Sequence, residues 1–209
     1  MTKAKNADEY IKMQREMLAR NPECGTTHYN LAVALIGQQK YNEARNELIE
    51  AISCSPSLAE AYVQLGGLSL QKGDLDTCLM YNQKAISARA GFSIPYGNIG
   101  FVYLQKNEPD EAIVYLNKAI SFNSNFIQAH TCLANAYFMK NEIDKSIESS
   151  LKALEIDSNF PLAHHNLAIA YFEKKEYDKA IEHCDKALEL GMEIPQGFLD
   201  LLKTYRDNN

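Results

Sequence analysis

The side chains with the chemistry to ligate a metal or attack a substrate are few and scattered. Three histidines, His28, His130 and His164, share an equivalent place in the chain but recur 34 residues or more apart. Ligands to one ion must converge within about 2 Å of it, so rings so far apart on successive elements read as packed aromatics, with no metal expected. His164 and His165 are adjacent and point to different faces of any helix. Five cysteines, Cys24, Cys54, Cys78, Cys132 and Cys184, are odd in number and widely spaced, with no CxxC pair. Neither a disulfide framework nor a zinc site is expected, and Cys78 and Cys184 read as small core residues. There is no glycine-rich phosphate loop, no nucleophile elbow and no paired carboxylate in a defined pocket. The chain is therefore expected to be neither an enzyme nor a cofactor carrier.

The elements that position these residues follow from a period. From Gly25 to Ile194 a 34-residue unit recurs without insertion as 25–58, 59–92, 93–126, 127–160 and 161–194. Slot four holds His28, Tyr62, Tyr96, His130 and His164. Slot seven holds Leu31, Leu65, Ile99, Leu133 and Leu167, and slot eight holds Ala32, Gly66, Gly100, Ala134 and Ala168. Slot 27 is always alanine: Ala51, Ala85, Ala119, Ala153 and Ala187. Slots 4, 7, 8 and 11 share one helical face, and slots 20, 21, 24, 27 and 28 share another, so each unit predicts two antiparallel helices. Small residues at slots 8 and 27 are what a close helix crossing demands. Breakers separate the helices at Gly37, Lys72-Gly73-Asp74, Asn107-Glu108-Pro109 and Asn141-Glu142. Ser69 and Asn82 put polar atoms at packing slots of the second unit, which predicts that it opens most easily unless they find partners. The register runs on at both ends, with a lone helix over 8–22 and another over 195–207 expected to cap the stack.

A ring at slot four, Leu and a small residue at slots seven and eight, and alanine at slot 27 closely resemble the tetratricopeptide repeat, or TPR, signature. The resemblance covers the five units and both terminal helices. It implies an all-α solenoid, a right-handed superhelix of about twelve helices in one domain over 1–209, in which first helices line a concave groove and second helices form the convex side. It also implies a non-enzymatic protein-interaction module.

On each first helix, slots 2, 5, 6, 9 and 13 point away from the packed face. The candidate groove therefore comprises Tyr29, Asn30, Val33, Gln64, Gly67, Gly97, Asn98, Phe101, Thr131, Cys132, Asn135, His165, Asn166 and Ile169. Slot six runs Asn30, Gln64, Asn98, Cys132, Asn166, an amide ladder able to pair with a peptide backbone, or simply a set of polar residues that a helix tolerates. Phe101 and Ile169 offer apolar anchors for an extended peptide or an amphipathic helix. These slots hold no Lys or Arg, so the basic clamp by which chaperone-binding relatives grip a terminal carboxylate is absent.

Two functions remain open. One is an adaptor that grips a segment of a partner protein. The other is a scaffold assembling with its own copies through Met80, Tyr81, Val114 and Tyr115, which stand where later units carry Glu148, Ser149, Glu182 and His183. The two tyrosines could equally lean onto neighbouring helices. A net charge of −6 disfavours nucleic acid as a partner. No apolar run reaches the roughly 20 residues of a membrane span, and Met1–Asn6 lacks a secretory core, so the expected compartment is the cytoplasm.

Overall fold

The computed structural model describes residues 6–206. Residues 1–5, on which the reading of the amino terminus rests, and residue 207, assigned to the last helix, lie outside them. The described residues form twelve helices and no strand: α1 (Ala7–Arg20), α2 (Gly25–Gly37), α3 (Tyr41–Cys54), α4 (Ala59–Gln71), α5 (Leu75–Ala88), α6 (Ser93–Gln105), α7 (Pro109–Phe122), α8 (Ile127–Met139), α9 (Ile143–Ile156), α10 (Pro161–Glu173), α11 (Tyr177–Glu189) and α12 (Gln196–Arg206). Some helix starts carry residues suited to their orphan amide groups. Asn6 and Asp74 accept the N–H of Glu9 and Thr77 at 2.9 and 3.0 Å, and Pro109 and Pro161 open α7 and α10, where a missing N–H costs little.

The turns between paired helices share one feature that the sequence did not suggest. Gln39, Gly73, Asn107, Asn141 and Lys175, all at slot 15, have φ of 59 to 75°. This left-handed residue ends each first helix, and only Gly73 adopts it without steric cost. Gly37, expected to break the first unit, is instead the last residue of α2, and the reversal falls at Gln39.

The chain divides into two compact units, Met1–Asn98 and Ile99–Asn209. In the first, α1 packs on α2, α2 on α3, α3 on α4 and α4 on α5. Its core joins Ile11, Leu31, Leu35, Leu48, Leu65 and Leu68 with Ala32, Ala44, Ala51 and Ala61. Asn82 is fully buried here, yet its amide donates to the Cys78 carbonyl at 2.9 Å and its Oδ1 accepts from Asn98 at 3.0 Å. Ser69 donates to the Leu65 carbonyl at 3.0 Å. Both polar side chains have partners, which removes the reason for expecting this unit to open first. In the second unit, α7 packs on α8, α8 on α9, α9 on α10, α10 on α11 and α11 on α12. Leu167, Ala168, Ala180, Cys184 and Leu202 are among its fully buried members around the carboxy-terminal helices. Tyr205 of α12 stacks on Tyr177 with centroids 3.6 Å apart, and Phe172 meets Phe198 and Tyr205 edge-on, fastening the last helix. Cys78 and Cys184 are buried core residues, as their slots required.

Slot four does more than fill space. His130 and His164 bond through Nε2 to the carbonyls of Ser124 and Ser158 at 2.9 and 3.0 Å, His28 to that of Pro22 at 2.8 Å, and the Tyr96 hydroxyl donates to Ala90 at 3.1 Å. Each acceptor lies six residues upstream, in the preceding turn, so a carbonyl can be met only by a ring tip that donates. Charged rungs recur as well: Lys140 pairs with Asp110 and Lys174 with Asp144, and Gln38 donates to Asp8 in the same geometry, each across 30 residues.

Candidate functional site

The outward face of the first helices presents different materials in the two units. In Met1–Asn98, α2 offers Val33, 41% exposed, beside half-buried Tyr29 and Asn30, and α4 offers half-buried Gln64 and exposed Gly67. Burial raises the Tyr29 hydroxyl pKa, with the nearby Glu60 carboxylate adding to the rise and the Gln64 amide opposing it. The only acid on this face, Glu60, is held by Arg89 at 2.7 Å. Gly97 is buried, and Asn98 turns an amide hydrogen inward to Asn82.

A cleft of about 490 Å³ opens beside α2, lined by Asn6, Ala7, Tyr10, Tyr29, Asn30, Val33 and Ala34. Periodicity identifies its α2 wall but misses Asn6, Ala7 and Tyr10. Asn6 caps the lone helix α1, and Ala7 and Tyr10 lie in its first turn; the register reaches this helix, but the outward slots are those of first helices alone. The run of Tyr and Asn on both sides of the gap was the only available signal.

In Ile99–Asn209, Phe101 and Asn135 are exposed, while Cys132, His165, Asn166 and Ile169 are half-buried. Thr131, expected on the open face, is buried to 1%, and its hydroxyl bonds back to the carbonyls of Ile127 and Gln128. The cause is α10, which crosses α8: the Asn166 amide donates to the Thr131 carbonyl at 3.1 Å. Gly97 and Thr131 therefore offer a ligand no side-chain surface, a correction to the expected lining. Burial pushes the Cys132 thiol up to about 11, a poor nucleophile at neutral pH. Burial also lowers the His165 pKa, and its Nδ1 is enclosed without a partner, so the ring is uncharged at neutral pH. The slot-six amides are thus not equivalent: those of Asn98 and Asn166 are engaged inside the fold. Asn30 makes no hydrogen bond among the described residues.

The second-helix residues separate in the same way. Met80 and Val114 are 40% and 54% exposed. Tyr81 packs against the core of its unit, and Tyr115 stacks on Tyr103 with centroids 5.5 Å apart. His164 Nδ1 lies 2.9 Å from His183 Nδ1, and the rings are 5.2 Å apart between centroids. With Nε2 of His164 donating to a carbonyl, its Nδ1 accepts the proton of His183. A nitrogen–nitrogen separation of 2.9 Å is that of a hydrogen bond and leaves no room for an ion between them. No three His, Cys, Asp or Glu side chains among the described residues converge as metal ligands, and no helix is long and apolar enough to cross a membrane.

Comparison with known proteins agrees with this architecture. Models of the tetratricopeptide repeat match residues 26–58, 94–126 and 161–190, and a TPR repeat model matches 134–175, together more than half of the chain. No curated protein sequence matches it. Among solved structures, YrrB, described as a TPR protein with an unusual peptide-binding site, aligns with a TM-score of 0.70 at 20% identity, over 95% of this chain and 100% of that one. PilF of Pseudomonas aeruginosa aligns with a TM-score of 0.73 at 17% identity, over 85% and 88%. The MamA protein aligns with a TM-score of 0.67 at 22% identity, over 83% and 99%. At these identities the likeness shows the fold, an all-α solenoid of helix pairs. With its recurring ring, small-residue and alanine slots filled as the helices require, the chain belongs to the tetratricopeptide repeat family.

Proposed function

We propose that this chain is a non-enzymatic adaptor whose first-helix faces hold a segment of a partner protein. The observation that carries this reading is the surface of those faces: exposed Val33 stands beside the unengaged Asn30 amide in one unit, and Phe101 and Asn135 are exposed in the other, with no Lys or Arg at the outward slots. Apolar anchors supply most of the affinity in such contacts and amides orient the bound backbone, so an uncharged segment is the natural occupant. The peptide-binding site ascribed to YrrB, of the same fold, supports the same use here. The cytoplasm is the compartment proposed, and neither nucleic acid nor a membrane is a proposed partner.

Affinity capture from native extract tests the reading. Val33→Glu in one unit and Phe101→Ala in the other should each weaken a captured partner about tenfold while helicity stays unchanged. A partner retained equally by both variants refutes it. A second reading, self-association through Met80 and Val114, draws on their exposure, whereas Tyr81 and Tyr115 have neighbours of their own. Light scattering separates the two: a particle mass that falls on Val114→Ser would favour assembly.

A further inference from the structure

The cleft between α1 and α2 carries more information than the rest of the face. Its polar groups are the side chains of Asn6, Asn30, Tyr10 and Tyr29, with Val33 at the rim and no charged side chain in the lining. Asn6 uses its Oδ1 to cap Glu9, which fixes the amide with its NH2 still available. Asn30 has neither donor nor acceptor engaged among the described residues, in contrast to Asn98 and Asn166.

An unengaged amide beside half-buried tyrosine rings selects the conformation of an occupant. A helix arrives with its backbone N–H and C=O groups already bonded to each other, so it would leave Asn30 unpaired. An added β-strand needs a sheet edge, and the described residues contain no strand. A polyproline II segment has no internal hydrogen bonds, presents its carbonyls outward and repeats every three residues, about 9 Å. Its proline rings pack flat on tyrosine faces, and its order in the free state reduces the entropy lost on binding. A cleft of about 490 Å³ has room for only a few residues, which makes that saving decisive.

We infer that the α1–α2 cleft anchors an uncharged, proline-bearing segment of a partner in the polyproline II conformation, an inference that rests on the peptide-binding reading above. The test uses fluorescence anisotropy of the full chain with three labelled, end-blocked probes. These are a nine-residue Ala-Pro-Pro repeat, a proline-free extended peptide of Ala, Ser and Val, and a helical peptide of Leu, Ala and Gln. The proline probe should bind at least tenfold tighter than either other probe. Asn30→Ala should weaken it about three- to tenfold and Tyr10→Ser about tenfold, with circular dichroism unchanged. Absence of binding by the proline probe, insensitivity to both substitutions, or tighter binding of the helical probe overturns the inference. If the helical probe binds and Val33→Glu abolishes that binding, the adaptor reading survives and only the conformation assigned here falls. If Val33→Glu and Phe101→Ala also leave partner capture intact, both fall.

Discussion

Replacing Gly100 and Gly67 by alanine separates two effects that a helical glycine combines. Both lie inside first helices, where alanine is favoured over glycine by about 1 kcal/mol. At Gly67 an added Cβ meets nothing within 4 Å, so Gly67→Ala should gain about that amount. At Gly100 the same atom would lie 2.6 Å from Leu116 Cγ, 2.8 Å from Leu116 Cδ2 and 3.3 Å from the Ala112 carbonyl. Leu116 is fully buried and its Cγ sits close to the backbone, so it cannot swing aside, and such overpacking costs about 1–3 kcal/mol. The propensity gain is common to both, so the difference between the variants isolates the steric cost, about 2 kcal/mol. With urea slopes of about 2–3 kcal/mol/M, the unfolding midpoints should differ by roughly half to one molar. Adding Leu116→Cys to Gly100→Ala, which copies the pairing of Ala168 with Cys184, should recover part of the loss. Equal midpoints for the two alanine variants would refute the argument that helix approach restricts slot eight.

Three further outcomes are expected. Asn82→Ala should cost about 2–3 kcal/mol in urea unfolding because Asn98 loses its acceptor and a void opens at a fully buried position, whereas Asn82→Leu, the residue found at slot 24 beside Gly100, removes the same acceptor but fills the space and should lose about 1 kcal/mol less; equal losses would sink this reasoning. Burial depresses the pKa of both His165 and His183 below the usual value, so the unfolded chain binds more protons near pH 6. Their contribution to stability is complete above about pH 6.5 and is lost as pH falls through the lower folded values, so His165→Gln/His183→Gln should flatten the fall in midpoint between pH 7.5 and 5.5. Iodoacetamide at neutral pH should modify Cys24 first. The Thr27 hydroxyl, 3.0 Å from its sulfur, and the amides of residues 27 and 26 lower its pKa, whereas Cys78 and Cys132 are pushed up to about 11. Mass spectrometry showing Cys78 labelled as fast as Cys24 in the folded chain contradicts this.

What the sequence disclosed follows from which forces act locally. Slots 8, 24 and 27 sit at the crossing within one helix pair, so the sizes of Gly100, Cys184 and Ala119 could be read from their spacing alone. Thr131 and Asn98 could not. Whether slot five or six faces solvent depends on the next first helix, and α10 over Thr131 is a tertiary fact. The left-handed residue at slot 15 escaped notice because Gln39 and Lys175 lack the glycine that usually announces it. The cleft beside α2 was half legible, since its far wall belongs to a helix outside the repeat.

The bond from the slot-four ring to the turn behind it, made among the described residues by four of the five units and not by Tyr62, also sets a rule of exchange. Histidine and tyrosine differ in size and charge, yet each can place a donor at the tip of a flat ring, and the upstream carbonyl accepts from either. Phenylalanine would preserve the shape and strand that oxygen. In those four units the ring can therefore be exchanged between the two polar kinds, because what reaches back to the preceding turn is a proton donor rather than a volume.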